Sequence, residues 1–311
     1  MRLEGNIHGR GEEDGMTGLY FERLESRGVV TVGGEDRNTF LQGLISNDID
    51  RVSADRAIWA ALLTPQGKYL HDFFVAAIGE TIHLDCEGAR LMDLGKRLHR
   101  FKLRAQVELG IGEGWTVYAL FGDGALDALD LPAEAGAARS LGDGIVYTDP
   151  RLPEVGARAL LPESGASNIL ESLGFSAADT SGYDSLRLEL GLSDGSRDLI
   201  VEKSTLLESN FDELHGVDWD KGCYMGQELT ARTKYRALVR KRLMPVRIDG
   251  PTPELGTPLM AGDKEIGEMR SGLDTRGLAL IRLERLEEAD TDALIAGDAQ
   301  VFPEKPIWAR Y

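Results

Sequence analysis

Lys221-Gly222-Cys223-Tyr224-Met225-Gly226-Gln227-Glu228 gathers the residue types most able to do chemistry. Cys223 is one of only two cysteines in the chain. A thiol becomes a nucleophile or metal ligand when it ionises, which nearby cations or a helix N-terminus promote. Lys221 stands two residues before it, and Gln227 to Tyr235 reads as a helix opening just beyond. Gly222 and Gly226 permit backbone conformations closed to other residues, and with them close approach to a ligand. Tyr224 can stack on a flat ring, while Gln227 and Glu228 can hydrogen-bond one. The same string also fits an architectural role, as a small buried thiol in a glycine-rich turn with Glu228 favourable in the first turn of a helix. Arg232, Lys234, Arg236, Arg240, Lys241 and Arg242 follow, in a protein of formal net charge -17. That run offers a local anion site for carboxylates, RNA phosphates or an acidic partner face. Its alternative is a solvated turn and strand, as the alternation over Leu238 to Leu243 allows.

Two further carboxylates stand out. Glu189 lies in the apolar-periodic stretch Asp184 to Gly191. A carboxylate there can accept two parallel hydrogen bonds from a ring N–H and an amino group. It can equally pair with Arg187 or face solvent. Asp72 follows His71 in Gly67 to Val75, and a histidine titrates near neutral pH. The five histidines are scattered and the cysteines lack zinc-ligand spacing, so no resident metal site is expected. Cys86 and Cys223 alone cannot make the four-ligand set usual for an iron–sulfur cluster.

The elements that must carry these residues follow from hydrophobic period. Arg27 to Gly33, Ala57 to Leu63, Phe73 to Ile78, Gln106 to Leu109 and Trp115 to Phe121 read as strands. Asn38 to Leu44, Arg90 to Phe101, Gly122 to Leu131 and Asp184 to Gly191 read as helices. Asp36 is placed to cap the first of them, and Leu186 and Leu190 to face the core in the last. Gly136 to Gly144 reads as a loop of small residues. Strands and helices mix without a steady βαβ rhythm, so the fold class is α+β. Pro251, Pro253, Pro258 and frequent glycines then punctuate short strands, which predicts a small all-β domain over 241–311.

At 311 residues the chain exceeds one ordinary core. Residues 1–15 are polar and glycine-rich and predict a disordered tail, with Met16 the alternative first residue. No apolar run approaches the roughly 18 residues that span a bilayer. The negative charge opposes DNA and anionic membrane at long range. Two cysteines in so long a chain point to a reducing cytoplasm.

The octapeptide resembles the signature of the YgfZ-type folate-binding proteins, relatives of the glycine-cleavage T-protein. Phe40 to Asp48 looks like the N-terminal FLQG-type helix of that family, and Asp184 to Gly191 is similar to its pterin-facing segment. Gly256 to Gly272 looks like the start of the family's C-terminal barrel. The resemblance implies a three-domain T-protein-like fold, with two interleaved folate-binding domains over 16–240 and a β-barrel over 241–311. It implies tetrahydrofolate, or another reduced folate, bound by Glu189, Lys221, Tyr224, Gln227, Glu228 and Arg240, with Cys223 and Asp72 as the reactive groups. It further implies support of iron–sulfur assembly or client proteins, with an indirect effect on tRNA modification. T-proteins carry two adjacent aspartates where this chain has His71-Asp72, which argues against the alternative of an aminomethyltransferase. Direct tRNA binding through 232–242 is a third reading.

Overall fold

The computed structural model describes residues 18–236, 239–289 and 291–311. The tail expected over 1–15 lies outside them, as does Leu238 of the basic run. β1 (Tyr20–Arg23) and β2 (Arg27–Gly33) follow each other closely, yet they enter different sheets. β2 buries Val29, Val30 and Val32, and α1 (Arg37–Gln42) buries Phe40 and Leu41. Asp36 does not cap α1 through its side chain; its carboxylate instead accepts the Gln106 backbone N–H at 2.7 Å.

β3 (Ile58–Leu63), β4 (Tyr69–Ile78) and β5 (Thr81–Glu87) form the expected meander. β4 begins at Tyr69, earlier than the Phe73 predicted, so His71 and Asp72 lie within it. α2 (Leu91–Lys102) buries Leu94 and Leu98, while Phe101 on the same face runs out to solvent. β6 (Glu108–Ile111) completes a five-stranded sheet in the order β3-β4-β5-β2-β6.

The second sheet takes β7 (Trp115–Phe121), β8 (Ala138–Leu141), β9 (Gly144–Thr148), β10 (Ala157–Pro162) and β11 (Ser176–Ala177), in the order β11-β1-β7-β10-β9-β8. Two expectations fail here. The helix predicted over Gly122 to Leu131 shrinks to α3 (Ala125–Ala128), because the chain turns at Asp130 with φ at +52°. The small-residue loop predicted over Gly136 to Gly144 contains β8, which pairs with β9 from Ala138↔Tyr147 to Leu141↔Gly144. α4 (Ala166–Ser172) and α5 (Gly182–Glu189) follow. α5 buries Tyr183, Arg187 and Leu188, whereas Leu186 and Leu190 are only half-buried. Gly191 ends the helix at φ +76°, as its position predicted.

One apolar core joins the two sheets, with Trp59 and Phe74 from the first meeting Val117 and Phe121 from the second. Burial of each such side chain stabilises by roughly 1.5–3 kcal/mol. α6 (Gln227–Tyr235) leads to a closed barrel of β12 (Lys241–Asp249), β13 (Pro258–Ala261), β14 (Lys264–Leu273), β15 (Arg276–Arg282), β16 (Leu294–Ala296) and β17 (Ala299–Pro303). Its interior is filled by Val246, Ile266, Met269, Ile281 and Val301. Closure leaves no free strand edge, which is how so small a β unit avoids pairing with neighbours.

Candidate functional site

The octapeptide is fastened to the exit of α1. Ser46 donates its hydroxyl to the Gly216 carbonyl at 2.6 Å, and Asn47 Nδ2 donates to the carbonyls of Trp59 (2.8 Å) and His215 (2.7 Å). The Asp218 N–H returns to the Ser46 carbonyl, and the Asp218 carboxylate accepts the Lys221 N–H at 2.9 Å. Lys221 Nζ then donates to the carbonyls of Ile45 and Asn47, each at 2.7 Å, and the Met225 N–H reaches the Gly43 carbonyl. Six hydrogen bonds thus tie the loop from His215 to Met225 to the segment Gly43 to Asn47.

Its far end is held by close packing. Gly226 has φ +83°, and a Cβ there would lie 2.5 Å from the Thr64 carbonyl oxygen and 3.0 Å from Gly67 Cα. Gly67, itself at φ +76°, would meet Leu229 and the Gly226 carbonyl in the same way. Gly67 in the β3–β4 turn and Gly226 in the octapeptide are there because two backbones touch.

Between these anchors Gly222 and Cys223 are exposed, and α6 starts a few residues further on. Cys86, by contrast, is buried in β5, and burial pushes its thiol up to about 12. Lys221 is placed differently from the ligand-binding role expected of it. Its ammonium is spent on two backbone carbonyls, and burial lowers its pKa to about 8 despite Asp48, Asp218 and Asp50. Tyr224 is also buried rather than open for stacking, and burial raises its phenol to about 12. Gln227 is half-buried at the start of α6, and the exposed Glu228 pairs with Arg232 at 3.0 Å.

The basic run does not act as one patch. Lys234 Nζ sits 3.6 Å from the centre of the Trp219 ring, and Arg242 is buried against Asp212 and the Leu207 carbonyl. Arg236 and Arg240 stay exposed.

Asp72 points into the protein. Trp59 Nε1 donates to it at 3.1 Å and the Tyr69 hydroxyl at 2.8 Å, and burial raises its pKa. His71 on the opposite face of β4 is buried against Asp93 at 2.9 Å, and desolvation lowers its pKa to about 4. It is therefore neutral at pH 7 and placed as a structural donor. Glu189 closes α5 on the exposed side. The Arg187 pairing considered for it does not form, because Arg187 is buried with Asp198 at 2.8 Å and the Leu192 carbonyl at 3.1 Å. Among the described residues, no hydrogen bond or ion pair joins Glu189, Asp72 and Cys223.

A feature with no local sequence signal bridges the two sheets. Arg158 of β10 donates to Asp85 of β5 at 2.7 Å and lies 3.9 Å above the Phe74 ring, and Arg27 reaches the same Asp85 at 2.6 Å. Arg151 pairs with Asp149 and with the Tyr183 hydroxyl beside them. All of these side chains are buried, so charge and aromatic surface fill the space between the sheets. No cluster of three or more His, Cys, Asp or Glu suited to a metal occurs among the described residues. Nor is any described helix long and apolar enough to cross a membrane.

Residues 240–311 match the family described as "CAF17, C-terminal beta-barrel domain". The human mitochondrial iron–sulfur cluster assembly factor IBA57 is 33% identical over 285 residues, spanning 85% of this chain and 78% of the human protein. The chain belongs to the IBA57/CAF17 (YgfZ-type) family. The mouse IBA57 is 31% identical across 90% of this chain and 82% of its own length. The aminomethyltransferase T of the Bartonella henselae glycine cleavage system superposes with a TM-score of 0.74 over 94% of this chain and 87% of that one, at 14% identity. The IBA57-type chain therefore shares the T-protein α+β fold and ends in a six-stranded barrel.

Proposed function

We propose that this chain supports iron–sulfur cluster assembly in other proteins, the role that the names of its mouse and human relatives carry. The observation behind this reading is Cys223, an exposed thiol on a loop held by both backbone and side-chain anchors. One cysteine supplies one ligand, and a cluster needs about four, so the other ligands come from the partner that carries the cluster. Anchoring Cys223 lowers the entropy lost when the two proteins share it. Replacing Cys223 with serine in a strain lacking the protein tests this. Activities of cluster-dependent enzymes should fall while the variant remains folded. Full rescue by the serine variant would make the residue architectural. Lower tRNA thiolation in that strain would follow from its impaired cluster enzymes, without contact between this chain and tRNA.

The second half of the reading is a reduced folate, tetrahydrofolate or a derivative, held by Glu189. Support comes from the T-protein fold and from the state of Glu189, which is exposed and has no side-chain partner among the described residues. A pterin offers its carboxylate a ring N–H and an amino group in bidentate geometry. Bound folate would supply a carrier of one-carbon units. Gln227, Glu228 and Arg240 retain solvent-facing polar groups that can contribute, whereas Lys221 and Tyr224 shape the loop from behind. Titration calorimetry with tetrahydrofolate should show Glu189→Ala weakening binding by roughly 1–3 kcal/mol. Unchanged affinity would remove Glu189 from the site.

A further inference from the structure

β6 ends its sheet. Its inner edge pairs with β2 from Val30↔Ile111 to Gly33↔Glu108, and no described strand pairs with its outer edge. Such an edge presents a row of backbone donors and acceptors that another strand can complete. Beside it lies a groove of about 490 Å³ between β6 and α2, with Val30 and Leu109 among its apolar lining. Met92 and Ile111, also lining it, are 58% and 51% exposed. Leu103, just past the end of α2, is exposed as well, whereas Phe101 lies across α2 from Met92 in a separate hollow with Leu62 to Gln66 and Met225. Two of the nine large apolar side chains that are exposed among the described residues, Met92 and Ile111, therefore line this one groove.

The rim is cationic. Arg90 to Arg104 holds six lysines and arginines against one aspartate, in a chain of net charge -17. That aspartate, Asp93, is already engaged by His71 and Arg97. Lys96 and Arg100 are exposed along the groove and have no acidic partner among the described residues. Their nearest complement is a segment that brings carboxylates.

We propose that the β6 edge and the α2 groove dock an extended segment of another protein whose every second residue, on the face turned to α2, is apolar or acidic. Its backbone adds a strand to the five-stranded sheet. Its apolar side chains enter the groove beside Met92 and Ile111, and its carboxylates meet Lys96 and Arg100. A second copy of this chain is a poor occupant, because edge-to-edge pairing would bring two cationic rims together. An anionic membrane is opposed by the charge of the rest of the molecule.

The test uses the full chain and a fluorescein-labelled, end-capped peptide of about seven residues, the length of an ordinary strand, with isoleucine and glutamate sharing the odd positions and threonine at the even ones. Fluorescence anisotropy should show binding that weakens at least about tenfold in the double variant Lys96→Glu, Arg100→Glu. A peptide with lysine in place of glutamate should prefer that double variant. Met92→Lys should also weaken binding of the original peptide, and hydrogen exchange of the β6 amides should slow when it binds. No binding, equal affinity for both peptides, or unchanged exchange in β6 would overturn the proposal. So would capture of the wild type by phosphatidylserine vesicles that the double variant escapes, which assigns the surface to membrane. A dimer in sedimentation velocity that Met92→Lys dissolves would likewise overturn it, in favour of a second copy.

Discussion

Replacing Lys221 with methionine keeps the length and the apolar stem of the side chain but removes the ammonium that holds the octapeptide to the exit of α1. In the wild type that ammonium donates to two carbonyls at 2.7 Å, yet burial lowers its pKa from the ordinary 10.5 to about 8. Desolvation is the largest influence, and the attraction of Asp48, Asp218 and Asp50 offsets only part of it. Between these two pH values the unfolded chain holds the proton and the folded chain releases it, so stability rises with pH. The gap corresponds to about 3 kcal/mol, gained as pH climbs from about 7.5 to 10.5. Once neutral, the amine still donates its two hydrogen bonds, so the anchor survives deprotonation. Lys221→Met has no such titration and leaves both carbonyls unpaired, a cost of about 1–3 kcal/mol each. Near pH 7 the two penalties largely offset each other, and the stabilities of wild type and variant are close. The advantage of the wild type should then grow by about 3 kcal/mol towards pH 10.5. Urea unfolding of both proteins at intervals across this range reads the difference directly, because every other titrating group is common to the pair. A difference that does not change with pH would refute the burial argument. One that shrinks with rising pH would show that the charged form is the stabilised one.

Gly226→Ala should destabilise by roughly 2–4 kcal/mol in urea unfolding, since its Cβ would press on the Thr64 carbonyl in a left-handed backbone. Gly222→Ala has open space around it and serves as the neutral control. Iodoacetamide should label Cys223 in the native protein and reach Cys86 only on unfolding, because Cys86 is buried with its thiol held up at about 12. Equal rates for the two would contradict their placement. Purified protein should show no aminomethyl transfer from a glycine-cleavage carrier protein. Asp72 is enclosed by Trp59 and Tyr69, and His71 is neutral at pH 7. Turnover of about 1 per second or more would show that this carboxylate reaches substrate after all.

The elements that the sequence determined by itself are those with strong internal period. β2 and β7 lie where alternation placed them, over Arg27–Gly33 and Trp115–Phe121. The leucine spacing of α2 and the stop at Gly191 hold as well. Each depends on contacts within one element or on the conformational freedom of one residue. The octapeptide was legible for the same reason, as a continuous string carrying a family resemblance. β8 was not, because Ala138 to Leu141 is a strand only through the β9 partner that the fold supplies. The charged side chains were the least legible. Lys221 finds its acceptors 174 and 176 residues away, and Arg158 finds Asp85 across 73. Arg187 passes over nearby Glu189 for the buried Asp198 and so leaves that carboxylate open to solvent. A buried charge must be paired, and its partner is whichever carbonyl or carboxylate the tertiary fold brings within hydrogen-bond reach. Which residues of the octapeptide face solvent and which hold the loop from behind was therefore decided by packing against α1 and the β3–β4 turn.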